Sequence, residues 1–369
     1  MLVRNAFVHD SRVEREASTL AGAGYDVLLL AQAGTGLPAV EHRGGVRVRR
    51  LASATAGYYA AAVAHGLRFR PKVVHCHDLD TLLPGALVAK TRAATLVFDA
   101  HELWTERASL TGGAWSRLHR GRYRVLERLL IGRADAVITV SDGIKDELVR
   151  RYRITAPTVL LNTPSMKRGT GGLRRAIATD APVLLYVGGI QPHRGLEVAV
   201  AALAELREVV LVLLGPAWGA TVQGLQAQAV ALGVLERLQI LPPVPPADVT
   251  AWAADADVGL CVIPPVSLSY RLALPNKLFE YALAGLPVVA SDAPEIKRYV
   301  SRFHLGITVA APEPQALAAA VRALLADRRG ARVHEPDPAV VAALCWELQA
   351  EKLNALYARL RPGLGPSPV

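Results

Sequence analysis

The sequence predicts an α/β protein made of two doubly wound domains, each built on a parallel sheet. Short apolar runs rich in Val, Ile and Leu alternate with helical patterns along nearly the whole chain. The runs are continuous and do not alternate with polar residues, which is typical of parallel strands covered by helices on both faces. Two strand–helix series of similar length are separated by a Gly-rich basic segment, and 369 residues are enough for two domains.

Each predicted strand is a short β-rich run, and each predicted helix is a longer stretch between such runs. The strands, in chain order, are Val27–Leu30, Val73–His77, Thr95–Asp99, Ala136–Val140, Val159–Leu161, Val183–Val187, Val209–Leu214, Leu238–Leu241, Val258–Val262 and Val288–Ala290. The helices are Arg12–Ala23, Trp115–Ile131, Gly143–Arg151 and Leu196–Leu206. A long final helix, Ala339–Leu360, follows Pro338, a residue that suits a helix start.

The domain boundaries follow from composition. Residues 166–181 are rich in Gly and Arg and lack apolar periodicity, so they are predicted to connect the two domains. The first domain then covers residues 1–165 and the second covers residues 182–337. Residues 338–369 carry the final helix, which is expected to pack back on the first domain. Two such domains that face each other place the loops after their strands around a central cleft.

Charge and cysteine content narrow the class of protein. There are 42 Lys and Arg against 32 Asp and Glu, a net charge of +10, which favours nucleotides, phosphorylated substrates, anionic membranes or nucleic acid as partners. A nucleic-acid partner is disfavoured, because the basic residues are spread through the chain without a reader motif. The three cysteines are too far apart for a disulfide framework. Without a signal peptide or a membrane-spanning run, a cytoplasmic protein is expected, with membrane association left open.

The segment Leu274–Ala290 holds the strongest candidate for a ligand site. Pro275 and Asn276 suit a helix start, where free backbone N–H groups and a positive dipole attract phosphate. A cation in the first turn opposes the helix dipole, so Lys277 makes sense there if an anion binds. The alternative is an ordinary surface lysine.

This segment, LPNKLFEYALAGLPVVA, resembles the donor-site motif of the retaining GT-B glycosyltransferases of family 4, in the subgroup with the pattern PNKxFEYxxAGxPVV. The resemblance implies two Rossmann-like domains and a nucleotide sugar as donor, with Glu280 on its ribose hydroxyls. The other donor-site residues that it implies in this segment are Pro275, Asn276, Lys277 and Leu278. Many relatives carry a further Glu near the transferred sugar, and here Leu272 stands in its place.

A second motif, LYVGGIQPHRGL at Leu185–Leu196, supports the same site. Gly188 and Gly189 let the backbone approach a ligand closely, and Arg194 can hold phosphate oxygens, although glycines are also common in plain turns. In the resembling family an Arg follows the first Gly and a Lys precedes the Gly that opens the helix. Gly189 and Arg194 stand at those two positions here. Gly215 matches the family's turn near the base, with a plain turn as the alternative.

In the first domain, the predicted strand Thr95–Asp99 ends in the sequence DAHE. Three ionisable residues in four are costly unless they are paired or used. The resembling family often has such a stretch here with its His toward the donor sugar, which makes His101 the best candidate for a catalytic histidine. Asp99 and Glu102 are candidates to orient its ring. A neutral imidazole can bond a sugar hydroxyl or stabilise positive charge at the anomeric carbon; the alternative is a structural His.

Histidines also end the predicted strand Val73–His77. His75 and His77 lie two residues apart, hence on one face, and Asp78 follows them. His77 is therefore a further candidate in the cleft. A metal site needs a third and a fourth ligand at suitable spacing, and no metal is predicted.

The loop after the first strand runs from His9 to Arg12. It resembles the family's first loop, where acceptor and donor phosphate approach each other, so His9, Asp10 and Arg12 are candidates on the acceptor side. Asp10 can instead cap the following helix. Arg12 in the first turn opposes the helix dipole unless an anion or an acidic neighbour is close.

The stretch Trp115–Arg133 contains six arginines and a single acid, Glu127. Its apolar side consists of Trp115, Leu118, Val125, Leu126, Leu129 and Leu130. Such a basic amphipathic helix suits an anionic membrane surface or a lipid-phosphate acceptor. The alternative is an ordinary packed helix with a solvated basic face.

These patterns predict a glycosyltransferase that moves a sugar from a nucleoside-diphosphate sugar to a hydroxyl of a small-molecule, saccharide or lipid-linked acceptor, with retention as the family implies. Lys277, Arg194 and helix N-termini are expected to neutralise the leaving pyrophosphate, so neither a metal nor a cofactor is expected. Two alternatives remain. One is a nucleotide-sugar epimerase of the same frame, and the other is a pseudoenzyme that binds nucleotide sugar, since Gly189 and Leu272 replace charged family residues.

Overall fold

The computed structural model of the chain describes residues 1–8, 10–52, 54–107, 114–166, 169–310, 313–327 and 335–360. These residues form two units. The first unit comprises residues 1–161 and 267–269 together with the described part of 349–369, and the second comprises residues 162–266 and 270–348. Both are α/β units with mainly parallel sheets, so the predicted fold class is confirmed.

Strands and helices alternate along most of the chain. The strands are β1 (Leu28–Gln32), β2 (Val40–Arg43), β3 (Val46–Leu51), β4 (Val73–His77), β5 (Thr95–Ala100), β6 (Ala136–Thr139), β7 (Thr158–Val159), β8 (Val183–Val187), β9 (Val210–Leu214), β10 (Leu238–Leu241), β11 (Val258–Cys261), β12 (Val288–Ser291) and β13 (Gly306–Val309). The helices are α1 (Ser11–Gly22), α2 (Thr55–Phe69), α3 (Leu79–Arg92), α4 (Ala114–Ile131), α5 (Asp142–Tyr152), α6 (Leu173–Ile177), α7 (Leu196–Glu205), α8 (Gly219–Ala231), α9 (Val249–Ala254), α10 (Leu268–Leu272), α11 (Asn276–Ala284), α12 (Pro294–Arg302), α13 (Pro314–Asp327), α14 (Pro338–Leu344) and α15 (Trp346–Leu360).

The second unit is built on six parallel strands in the order β10-β9-β8-β11-β12-β13. The chain starts in the middle at β8, moves to one edge, and returns to β11 before it reaches the other edge. The junction of β8 and β11 is therefore the topological switch point. In open α/β sheets, ligands bind at the carboxyl ends of the strands beside this point.

Helix α11 is fixed to this sheet by Tyr281. Its hydroxyl accepts the N–H of Val187 at 2.9 Å and donates to the carbonyl of Leu185 at 3.0 Å. The ring lies against Gly259 of β11, where a Cβ would stand 2.6 Å from a ring carbon. A side chain at Gly259 would push this ring away, so the glycine sets how closely α11 packs on the strand.

The first unit contains two sets of hydrogen-bonded strands, β1-β3-β2 and β4-β5-β6-β7. The segment at Leu2 joins them, because its N–H donates to the carbonyl of His75 and its carbonyl accepts the N–H of His77. On the other side Val3 donates to the carbonyl of Leu30. The Leu2 segment thus lies in the middle of the sheet, and the loops after it and after β4 flank the switch point.

Every predicted strand overlaps an observed one, with ends shifted by at most two residues. The hairpin of β2 and β3 was not predicted. Its strands turn at Gly44 and Gly45, whose φ values are 56° and 78°, and a two-residue glycine turn of this kind is a hairpin signal. In β3 the buried Val46 and Val48 alternate with arginines, so it lacks the continuous apolar run of the other strands. The strand β13 was also missed.

The predicted single final helix is wrong, because α14 and α15 are separate. Cys345 between them has extended backbone (φ −80°, ψ 157°), and Trp346 donates its N–H to the carbonyl of Pro164. This bond replaces the next helical one. Three residues of α15 lie in the apolar core of the first unit: Leu353, Leu356 and Tyr357.

The described residues of the predicted connection 166–181 are bound to the second unit, and they include α6. Arg174 donates to the carbonyls of Asp255 and Ala181 and pairs with the carboxylate of Asp257. The Asp255 carboxylate accepts the N–H groups of Gly172 and Leu173. The Gly-rich composition therefore reflects backbone held close to α9.

The basic helix α4 is only partly packed. Leu118, Val125 and Leu129 are 56%, 60% and 56% exposed, whereas Leu130 is buried. The predicted apolar side of α4 thus has a buried edge and a solvent-exposed edge. The side chain of Trp115 lies outside the described part. Over the residues that the structure describes, no helix has both the length and the apolar character to cross a membrane.

Candidate functional site

The first candidate site lies at the switch point of the second unit. Gly188 follows β8 with φ 128°, and Gly215 follows β9 with φ 150°, a backbone region that favours glycine. The two loops touch, since a Cβ on Gly215 would stand 2.2 Å from the carbonyl oxygen of Gly188. Gly215 is therefore required by this contact between turns, which agrees with the plain-turn alternative for that residue.

Lys277 lies beside the Gly188 turn, in the first turn of α11. Its ammonium is 3.6 Å from the ring centroid of Tyr186, and a Cβ on Gly188 would stand 3.4 Å from its Nζ. Only 8% of the residue is exposed, and burial lowers the pKa of Lys277 to about 7. The surface-lysine alternative is wrong. Tyr186, which sequence reasoning missed, also donates its hydroxyl to the carbonyl of Gly189 at 2.9 Å.

Arg194 and Gly189 complete the loop. With the Gln191 amide turned to satisfy its neighbours, its oxygen accepts Nη2 of Arg194 at 2.6 Å and Nε at 3.1 Å. The guanidinium also lies over the ring of Tyr270, 5.5 Å from its centroid. A Cβ on Gly189 would stand 3.2 Å from Trp218, so the indole occupies the space into which a longer side chain at this position would begin.

The remaining predicted residues of α11 differ in their access to this site. Pro275 is the N-cap and Asn276 the first helical residue, and both are half-buried. Glu280 is half-buried and lies three residues after Lys277, hence on the same side of the helix. Leu278 does not fit its predicted role. Its side chain is fully buried in the core and its N–H donates to the carbonyl of Pro275 at 3.0 Å.

The second candidate site is a cluster of ionisable residues in the first unit, centred on Asp99. Arg12 binds its carboxylate through Nε at 2.8 Å and Nη2 at 2.7 Å. Arg12 also lies 3.1 Å from Glu16, and all three side chains are buried. Burial opposes ionisation of Asp99, but Arg12 and His101 overcome it and hold its pKa well below the usual value. Arg12 thus pairs with acidic neighbours and is enclosed, so a direct contact with an acceptor is not supported.

His101 lies between two carboxylates. Its Nε2 is 2.9 Å from Oδ2 of Asp99, and its Nδ1 is 3.4 Å from Oδ2 of Asp78. Burial opposes a charge on the ring, but the two carboxylates overcome it and raise the pKa of His101 to about 10. This raised pKa favours the imidazolium at neutral pH over the neutral imidazole considered from the sequence.

His75 and His77 lie on one face of β4 as predicted, with stacked rings 4.5 Å apart. His77 Nδ1 is 3.2 Å from Asp99, and His75 Nδ1 is 2.8 Å from the hydroxyl of Tyr357. One ligand-type atom from each of Glu16, His75, His77 and Asp99 lies within 4.8 Å of the others. This is a metal-like donor set. However, the guanidinium of Arg12 already pairs with both carboxylates and serves as their cation. His77 is fully buried and cannot contact a ligand from solvent.

The other acceptor-side candidates have local roles. Asp10 caps α1 by accepting the N–H of Val13 at 3.2 Å, and its other oxygen accepts the amide of Asn5 at 2.7 Å. The capping alternative is thereby confirmed. Glu102 pairs with Arg107 at 3.1 Å and does not contact the ring of His101 in any described hydrogen bond or ion pair. His9 lies outside the described residues.

Two family models together match most of the chain. The model of "Glycosyltransferase Family 4" matches residues 11–163, and that of "Glycosyl transferases group 1" matches residues 181–327.

Curated relatives match over most of their length. A D-inositol 3-phosphate glycosyltransferase from Xylanimonas cellulosilytica is 30% identical over 84% of this chain and 77% of its own. A glycogen synthase from Mycobacterium tuberculosis is 26% identical over 95% of this chain and 91% of its own.

Solved structures share the fold. Sucrose-phosphate synthase from Thermosynechococcus elongatus superposes with a TM-score of 0.82 at 20% identity, over 97% of this chain and 95% of its own. HepE from Anabaena, solved with UDP-glucose, superposes with a TM-score of 0.77 at 15% identity, over 97% and 98%. A putative UDP-N-acetylglucosamine 2-epimerase from Listeria monocytogenes superposes with a TM-score of 0.59 at 12% identity, over 100% and 97%.

Proposed function

The chain belongs to the group 1 glycosyltransferases and transfers a hexose, and we propose that the hexose comes from a nucleoside-diphosphate sugar held by the second unit. The observation that carries this proposal is Lys277, a buried ammonium beside the Gly188 turn. Among the described residues no carboxylate forms an ion pair with it, and its nearest charge-stabilising group is the ring of Tyr186. A cation in this position, at a helix start beside a switch point, suits a diphosphate.

In the proposed reaction, the bond between the anomeric carbon and the donor phosphate oxygen breaks, and the diphosphate leaves with the electron pair. The acceptor hydroxyl forms the new glycosidic bond, and its proton passes to the leaving phosphate. Lys277, Arg194 and the N–H groups at the start of α7 and α11 stabilise the negative charge that develops, so the reaction needs no metal or cofactor. Retention of the anomeric configuration follows from the family resemblance.

We place the donor ribose at Glu280. A carboxylate can accept both hydroxyls of the ribose at once, and hydrogen bonds to a charged acceptor are the stronger ones. Its position on the same side of α11 as Lys277 lets one helix contact both ribose and diphosphate. This arrangement is what assignment to the PNKxFEY subgroup implies.

Two departures from the family pattern shape the proposal. Trp218 packs where a side chain on Gly189 would begin, so phosphate contacts fall to Lys277 and Arg194. Leu272 replaces a carboxylate near the transferred sugar, so sugar contacts fall to Asn276, Lys277 or backbone groups.

The acceptor is proposed to be a polyol or saccharide hydroxyl. The curated relatives are named for D-inositol 3-phosphate and for glycogen, which share this chemistry. A lipid-linked saccharide is compatible with the same chemistry. The exposed apolar residues Leu118, Val125 and Leu129 of α4 lie among exposed arginines, which suits contact with an anionic membrane face. The cytoplasmic location expected from the sequence stays a prediction.

The experiment that tests the donor site uses matched lysines of the second unit. Lys277→Met removes the buried ammonium, and Lys297→Met removes one that is 58% exposed on α12. Release of nucleoside diphosphate from UDP-, GDP- and ADP-glucose is measured with D-inositol 3-phosphate and glycogen as acceptors. Lys277→Met is expected to lower kcat/KM for the donor at least 100-fold, and Lys297→Met to leave it unchanged. Equal activity in both variants would contradict the site.

The same assay separates the alternatives. An epimerase, to which the chain is similar in fold, converts the donor sugar without an acceptor, and product analysis with donor alone detects this. A pseudoenzyme binds nucleotide sugar but releases no diphosphate with any donor.

A further inference from the structure

Asp78 has an unusual backbone at the carboxyl end of β4. Its φ of 60° and ψ of 166° fall in a region that is almost restricted to glycine. Non-glycine residues keep such a conformation only where the surrounding structure imposes it, and these positions concentrate at binding and active sites. Here the backbone N–H of Asp78 donates to the carbonyl of Asp99 at 2.9 Å, which ties the two strand ends together.

The carboxylate of Asp78 contacts His101 and does not cap the helix that follows it. Asp78 directly precedes α3, where an aspartate usually accepts an N–H of the first turn, yet it makes no capping bond. Instead its Oδ1 accepts the backbone N–H of His101 at 3.2 Å, and its Oδ2 faces the ring of His101 at 3.4 Å. The carboxylate is therefore held against His101, and α3 lacks a capping bond from Asp78.

The ring of His101 has no nitrogen left for a substrate. Nε2 faces Asp99 and Nδ1 faces Asp78, so both N–H groups of the imidazolium point to carboxylates. The accessible acceptor oxygen of the cluster then belongs to Asp78. Its side chain is 24% exposed, whereas the side chains of Asp99 and Glu16 are fully buried.

We infer that Asp78 is the carboxylate that binds the reacting hydroxyl of the acceptor, and that His101 is a positioning residue that holds Asp78 in place. The inference rests on the proposed function, because it names the acceptor contact of that reaction. A carboxylate backed by an imidazolium accepts an O–H strongly and in a fixed direction, which suits the hydroxyl of a polyol or saccharide. The proton still leaves with the diphosphate, so Asp78 orients the hydroxyl and is not consumed.

The charged groups around Asp78 set the pH range in which it can act. His101 and Asp99 face Asp78 directly, and Glu102 and Asp80 are near enough to act on its charge. Arg12 and His77 contact the carboxylate of Asp99. Burial and the neighbouring acids outweigh the opposing charge of His101 and raise the pKa of Asp78 to about 7. Acceptor binding is therefore expected to strengthen as pH rises through 7, where Asp78 becomes ionised.

The test compares Asp78→Asn with Asp26→Asn, which changes an exposed carboxylate before β1. UDP-glucose is the donor, and transfer to D-inositol 3-phosphate is measured alongside hydrolysis of the donor by water. Asp78→Asn is expected to lower kcat/KM for the acceptor about 100-fold, while donor hydrolysis and donor KM change less than twofold. Asp26→Asn should match the parent. An unchanged acceptor kcat/KM, or an equal loss of hydrolysis, would overturn the inference.

A second measurement keeps this outcome separate from failure of the proposed function. Saturation-transfer NMR detects binding of D-inositol 3-phosphate without donor or turnover. If the parent binds this probe and Asp78→Asn does not, the inference stands even when no donor is turned over. If both bind equally, or neither binds, it is overturned. NMR titration of the ring of His101 checks the positioning role, since its pKa should fall in Asp78→Asn and remain raised in Asp78→Glu.

Discussion

Lys277 is a lysine whose charge depends on its ligand. Its ordinary pKa is 10.5, and burial lowers it to about 7. A bound diphosphate favours the charged ammonium and raises the pKa again. Above pH 7, binding of a diphosphate is therefore expected to take up a proton, because the lowered pKa favours the neutral amine in the free site and the diphosphate favours the ammonium.

This linkage predicts that affinity for UDP falls as pH rises from 7 to 9, by up to about tenfold per pH unit. Isothermal calorimetry in buffers of different ionisation enthalpy measures both the affinity and the proton uptake. Lys277→Met should bind UDP weakly and show no such pH dependence, whereas Lys297→Met should behave as the parent. A pH-independent affinity of the parent above pH 7 would contradict the assignment.

His101 links folding stability to pH through a pKa that is raised, whereas the pKa of Lys277 is lowered. Its pKa is raised from 6.5 to about 10 by Asp78 and Asp99, against the effect of burial. The folded state holds the proton more tightly, so the stabilisation is complete below pH 6.5 and is lost as pH rises through 10. His101→Ala should lower the free energy of unfolding by about 1–3 kcal/mol at pH 6 and by much less at pH 10.5.

Urea unfolding of the parent and the variant at both pH values measures this difference. His119→Ala removes an exposed histidine of α4 and serves as the control. A cost of His101→Ala that is the same at pH 6 and pH 10.5 would show that the ring is neutral in the folded protein.

A site residue could be predicted from the sequence where its residue type and its local position together indicate its chemistry. A lysine in a first helical turn and a histidine between two acids at a strand end stand out in the sequence. Tyr186 did not, because a tyrosine in a buried strand looks like any core aromatic until its ring is seen under Lys277. The strained backbone of Asp78 and the pairing of Arg12 with Asp99, 87 residues apart, are tertiary effects that no local pattern carries.

Among the secondary-structure elements, the pattern of apolar residues predicted the strands that are buried along their whole length. The strands β8 and β9 are buried along their whole length and were predicted nearly residue by residue. The strand β3 was missed because it mixes Val with Arg. The break between α14 and α15 was missed because Cys345 carries no helix-breaking signal and the competing hydrogen bond comes from Pro164.

The solvent-exposed apolar edge of α4 predicts that the protein binds anionic membranes. Burying part of Leu118, Val125 and Leu129 in a bilayer surface gains up to about 0.8 kcal/mol per CH₂ group, and each nearby arginine adds about 1 kcal/mol on anionic lipid. The chain should therefore co-sediment with phosphatidylglycerol-containing vesicles and much less with pure phosphatidylcholine. Binding should weaken in high salt.

The matched variants for α4 change three exposed apolar residues each. Serine at Leu118, Val125 and Leu129 should lower vesicle binding at least tenfold. Serine at Val230, Leu232 and Leu235 of the second unit, which are also exposed, should not. Equal binding of the two triple variants would show that α4 is an ordinary solvent-facing helix.

At the scale of the whole molecule, each unit has an apolar core of its own. Leu29 belongs to the core of the first unit and Leu211 to that of the second, and both are fully buried. Separate cores allow separate unfolding transitions, in which case a single melting temperature does not describe the chain. Substituting either leucine by alanine costs about 2–5 kcal/mol and so identifies the transition to which each core belongs.

The last prediction is that UDP, or whichever nucleoside diphosphate the donor supplies, stabilises only the transition of the second unit. A ligand that binds only folded protein adds RT ln(1 + [L]/Kd), about 2.7 kcal/mol at 100 times Kd, which is worth several degrees for a unit of this size. Scanning calorimetry should show the transition moved by Leu211→Ala rising with UDP and the one moved by Leu29→Ala unchanged. Uridine, which lacks the phosphates, should give a smaller shift, and Lys277→Met should abolish the difference between the two ligands. A shift confined to the first unit's transition would contradict the placement of the diphosphate at the Gly188 turn.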